Sequence, residues 1–190
     1  MITLLILAQL GRQQGLVEPN VASDSAMLAV PNITAPLVEA LKAARPILSV
    51  VTLDSILNAR GLNKAQRSTT YGKMFVHVDL NRGSDAELLL VPGVNPARLM
   101  AIKSGRPWKN FTGLEKEEQY LFIPIELNTF DDTIMDSFAG IGVGTRQWKR
   151  EFREYRPWTS MEQFDREIGK YVRARPTELA RLKRYVIIAP

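Results

Sequence analysis

Apolar positions in this chain fall into two patterns: helical spacing in some stretches and short unbroken runs in others. Trp148, Phe152 and Tyr155 lie at i, i+4 and i+7, one face of a helix, and Arg146, Lys149, Arg150 and Arg153 occupy the opposite face. Pro36-Leu37-Val38-Glu39-Ala40-Leu41 opens another, more apolar helix. The unbroken runs are Met74-Phe75-Val76, Tyr120-Leu121-Phe122-Ile123 and Tyr185-Val186-Ile187-Ile188. They read as extended connectors buried between helical segments, able to form short β pairs.

These blocks recur. Val17-Glu18-Pro19-Asn20 returns as Val78-Asp79-Leu80-Asn81 and as Ile125-Glu126-Leu127-Asn128, at offsets of 61 and 47 residues. Behind each anchor stands a helix-starting pair, Ser23-Asp24, Ser84-Asp85 or Asp131-Asp132, and Ser84 with Glu87 spells a capping box. A bend follows: Val30-Pro31-Asn32-Ile33-Thr34, Val91-Pro92-Gly93-Val94-Asn95 or Phe138-Ala139-Gly140-Ile141-Gly142. The helix after each bend stops at Arg45-Pro46, Arg106-Pro107 or Arg156-Pro157, because proline cannot continue it. Ser49, Asn110 and Ser160 then stand as caps for a third helix, with Leu53, Leu114 and Phe164 as its core positions. Arg60-Gly61-Leu62-Asn63-Lys64-Ala65 spells a further bend, and 169–185 has room for a matching helix pair that the middle repeat lacks. The expected fold is all-α: three tandem helix-hairpin-helix units joined by short extended connectors. The expected boundaries are a tail at 1–15 and units at 16–77, 78–124 and 125–190.

Chemistry concentrates at the bends. Gly140 and Gly142 can take backbone angles closed to other residues, which leaves the amides of Val143, Gly144 and Thr145 bare at the start of a helix, a geometry suited to a phosphate oxygen. Arg146, Lys149, Arg150 and Arg153 add four cations beside them, with Glu151 and Glu154 as compensating charge. The middle bend is a weaker version, with Gly93, Asn95 in place of the second glycine (asparagine tolerating the left-handed angle), and Arg98 and Lys103 behind. In the first bend Asn32 and Thr34 replace both glycines, and it reads as structure or protein contact. Trp108 and Trp158, placed like Ile47, are read as core plugs, and Arg45, Arg106 and Arg156 as internal ties. Such contacts reach phosphates and not base edges, so binding would be sequence-tolerant and weakened by salt.

The segment from Val78-Asp79-Leu80-Asn81 through Val91-Pro92-Gly93-Val94 to Arg106-Pro107-Trp108 resembles the helix-hairpin-helix domain of competence-type DNA receptors, in three copies covering nearly the whole chain. The resemblance implies non-specific binding of double-stranded DNA through Gly93, Gly140 and Gly142, with Arg146, Lys149 and Arg150 alongside. The chain is also similar to the small extrinsic lumenal subunit of cyanobacterial photosystem II, which implies the alternative of a non-catalytic protein-interaction subunit of a larger complex.

Composition narrows the remaining options. A single histidine, His77, and no cysteine exclude a His-based triad, a multi-histidine metal site and thiolate chemistry. No phosphate-binding P-loop or dinucleotide glycine motif follows a strand, so no enzyme activity, cofactor or metal is expected. The net charge of +5 tolerates an anionic partner without demanding one. The apolar run Ile2 to Ala8 is too short to span a membrane and lacks the basic residues that precede a signal sequence. It is read as a tail or signal remnant, with an extracytoplasmic, periplasmic location expected and a cytoplasmic one as the alternative.

Overall fold

The computed structural model describes residues 16–130, 145–173 and 176–189, with side chains from 148 in the second stretch and from 177 in the third. The described chain is mostly helical. In order come α1 (Asp24–Leu28), α2 (Ala35–Ala43), α3 (Val50–Ala59), α4 (Lys64–Tyr71), β1 (Val78–Asp79), α5 (Asp85–Leu88) and α6 (Pro96–Ser104). A 3₁₀ turn at Glu118–Tyr120 leads into β2 (Leu121–Phe122) and β3 (Ile125–Glu126), followed by α7 (Thr145–Glu154), α8 (Met161–Gly169), α9 (Pro176–Lys183) and β4 (Val186–Ile187). Two apolar cores run through it, one over Leu16–Leu121 and one over Phe122–Val186, and Ile123 packs against both.

Local chemistry sets the helix starts. Ser23, Ser49, Ser84 and Ser160 each accept an amide of the first helical turn, and Ser84 and Glu87 form the full capping box. The third helix expected after Asn110 does not form. Asn110 instead accepts the Thr112 amide at 3.0 Å, and Gly113 turns to φ +80°, so the chain leaves the helical region. Leu114 is nevertheless buried, like Leu53 and Phe164.

One hydrogen-bonded clamp occurs three times. Asn20, Asn81 and Asn128 each bind the main chain of the residue after Arg-Pro, from both ends of the side-chain amide. Asn81 donates to the Trp108 carbonyl at 3.0 Å and accepts the Trp108 amide at 2.7 Å. Asn20 does the same with Ile47, and Asn128 with Trp158. The arginine of each Arg-Pro pair binds two carbonyls of its own anchor: Arg45 to Pro19 and Ala22, Arg106 to Leu80 and Gly83, Arg156 to Leu127 and Phe130. All three Arg-Pro peptides are cis. Each clamp seals the chain reversal after the second helix, so these periodic arginines are structural.

The apolar runs are also explained. Each pairs in parallel with the anchor that began its own repeat: Val17 with Met74, β1 with β2, and β3 with β4. The Leu80 amide donates to Phe122 at 2.8 Å and the Leu127 amide to Ile187 at 3.0 Å. Each repeat therefore closes on itself, which removes unpaired strand groups from the interior. The third repeat also reaches back to the others. Arg184 donates to the His77 carbonyl at 2.7 Å, and Arg82 donates to the Arg184 carbonyl at 3.4 Å. Glu18, buried at the first anchor, feels Arg181 and Arg184; burial pushes its carboxyl up, and these cations only partly offset that.

Candidate nucleic-acid interface

The middle bend is fully described. Val94 donates to the Val91 carbonyl at 3.0 Å, and the exposed Gly93 between them takes φ +90°. A β-carbon at Gly93 would meet nothing within 4 Å, so the space over the bend is open. Asn95 differs from the expectation. At φ −107° it occupies extended backbone, and its side chain caps α6 by accepting the Arg98 amide at 2.9 Å. The single left-handed position of this bend is Gly93, and its counterpart in the first repeat is Asn32 at φ 67°. Among the described residues the amides of Gly93 and Asn95 have no acceptor.

Arg98 is held internally. Its guanidinium forms a two-pronged pair with Glu117 at 2.9 and 2.8 Å and donates to the Gly113 carbonyl at 2.5 Å, tying α6 to the loop at 111–118. Lys103 bridges to Asp85 at 2.7 Å, from α6 to α5. The first bend is tied to α4: Asn32 donates to the Gln66 carbonyl at 3.2 Å, and the Thr70 hydroxyl to Pro31 at 3.0 Å.

A bend with the middle bend's shape lies between α3 and α4. Gly61 takes φ +87° with open space above it, and Asn63 caps α4 through a capping box with Gln66. The candidate residues drawn from sequence did not include it, although Gly61-Leu62-Asn63 repeats Gly93-Val94-Asn95. Arg60 and Lys64 beside it are exposed, while Arg67 is tied to Asp54, Asn58 and the Leu62 carbonyl.

In the third repeat Gly140, Gly142 and Gly144 lie outside the described residues, as do the side chains of Thr145 and Arg146. The rest of α7 divides as its periodicity predicts: Trp148 and Phe152 are buried, Lys149 is half-buried, and Arg150 and Arg153 are exposed. Glu151 departs from this picture. It is buried, not a surface counter-charge, and it pairs with Arg150. Burial pushes its carboxyl up, but hydrogen bonds from Tyr171 and Arg150 outweigh that and hold it below the usual range. Trp158 is buried with its indole donating to Phe152 at 2.8 Å, and Trp108 donates to Ile102 at 2.7 Å, so both indole N–H groups serve the fold.

Among the described residues no helix is long and apolar enough to cross a membrane. The chain matches no protein-family model, no curated protein and no solved structure.

Proposed function

We propose that the chain is a tandem helix-hairpin-helix protein that binds double-stranded nucleic acid through backbone phosphates, chiefly by the third repeat. One observation carries this reading. The helices behind the bends, α2, α4, α6 and α7, have no acidic residue in the first turn, whereas α1 and α5, which open the first two repeats, have Asp24, and Asp85 with Glu87. An acid in the first turn stabilises a helix, so leaving it out keeps the positive end of the dipole available for an external anion. Two helices depart from this contrast: α9, whose Glu178 is bonded to Arg181 within the fold, and α3, which follows no bend and also has no acid in its first turn.

Fluorescence anisotropy with a labelled duplex, titrated with salt, tests this. About three phosphate contacts predict a log–log slope near −3, with no preference among sequences. Reversing Arg146, Lys149 and Arg153 to glutamate should weaken binding at least tenfold; Arg150 is kept because it neutralises the buried Glu151. Affinity unchanged by that triple reversal, in a chain with unaltered circular dichroism, refutes the site.

A protein-interaction role is the second reading. It is favoured by the internal commitment of Arg67 and Arg98, by the pairing of Arg150 with Glu151, and by the exposed apolar side chains Leu89, after α5, and Met100, on α6, 44% and 62% accessible. It predicts no duplex binding even at low salt, together with co-purification in a defined complex. We place the protein in an extracytoplasmic, periplasmic location, with a cytoplasmic one as the alternative; cell fractionation distinguishes the two.

A further inference from the structure

Between the second and third repeats lies a cleft of about 560 Å³, lined by Trp108 and Phe111 of the second repeat, by the Ile123-Pro124 link, and by Phe130 and Ile187 of the third. That volume falls within the range of small-molecule sites. Three features define what fits there.

Trp108 is the first. Its counterparts Ile47 and Trp158 are 0% and 2% exposed, whereas Trp108 is only half-buried and presents its remaining surface in this cleft. The second is rigidity: Phe130 is braced by the Arg156 guanidinium 4.2 Å from its ring centre, and Trp108 is fixed by its indole bond to Ile102. The third is the state of three polar side chains in the walls, Asn81, Glu126 and Arg82, which are already engaged. Asn81 is taken at both ends by the Trp108 main chain, and Glu126 accepts the amides of Asn128 at 3.0 Å and Ala189 at 3.3 Å. Arg82 pairs with Asp79 at 2.5 Å and donates to the Arg184 carbonyl. Lys109 stands exposed at the rim.

From these features we infer that the cleft is a binding site for a small, uncharged, largely apolar molecule, one face of it lying against Trp108. A peptide is disfavoured because its main-chain N–H and C=O groups would be desolvated against apolar walls in which Asn81, Glu126 and Arg82 are already engaged. The site is independent of the phosphate-binding surface.

The test uses the full chain and N-phenyl-1-naphthylamine, a neutral probe that brightens in apolar surroundings. We expect saturable binding at one site per chain, with energy transfer from tryptophan that falls in Trp108→Phe. Ala189→Trp should fill the cleft from an exposed position and weaken the probe at least tenfold without changing circular dichroism or duplex binding. Absence of saturable binding, or equal affinity in Ala189→Trp, overturns the site. Transfer unchanged in a folded Trp108→Phe chain overturns its placement against Trp108.

Discussion

His77 is the only histidine in the chain and is 2% exposed, so it reports on the junction of the three repeats without interference. Its ring lies where the Arg184 guanidinium reaches the His77 carbonyl. Burial is the main cause, and the Arg184 charge the second, that lower its pKa to about 4; the Gln119 main chain beside it favours the protonated form, but no well-aligned hydrogen bond reaches either ring nitrogen. The sign follows directly. The unfolded chain takes up a proton near pH 6.5 and the folded chain only near 4, so stability is full above 6.5 and falls as pH drops between those values. A gap of about 2.5 pH units sets a limit near 3.4 kcal/mol, of which about 2 kcal/mol is lost between pH 7.5 and 5. Glu18, whose carboxyl is raised, acts in the opposite sense near the carboxylate range. Urea unfolding from pH 7.5 to 5 measures the loss, and His77→Phe should flatten the curve in that window. The Cε1 proton signal should titrate near 4. A signal titrating near 6.5, or wild-type stability that stays flat to pH 5, would refute the buried, neutral assignment.

Gly105→Ala tests a close approach: a β-carbon there would lie 2.2 Å from the Trp108 ring, so the indole must shift and lose its bond to Ile102. The expected cost is about 1–3 kcal/mol with a red-shifted tryptophan emission. Arg98→Ala tests whether this arginine is structural. It strands Glu117, whose side chain is 5% exposed, and should cost about 2–3 kcal/mol in urea, with partial recovery on adding Glu117→Gln.

The repeat itself was legible because it is written in local chemistry. Serine caps and an Arg-Pro stop act on neighbours a few residues away, and their recurrence beside an asparagine anchor appears without any knowledge of packing; what the asparagine binds, 27 to 30 residues on, does not. The face of α7 was equally readable, since helical spacing alone separates Trp148 and Phe152 from Arg150 and Arg153. Other features depended on what the folded chain brings together. Sequence places Arg98 on the helix behind the middle bend, but only folding sets Glu117 and the Gly113 carbonyl within its reach and so takes up its charge. The apolar runs could have joined any strand, and which anchor they paired with followed from chain reversal at the Asn–Arg clamps. Sequence thus determined the segments and their punctuation, through interactions spanning a few residues. Tertiary structure alone decided which charges remain available to a partner and where the Trp108 cleft opens, because both depend on groups far apart in the chain.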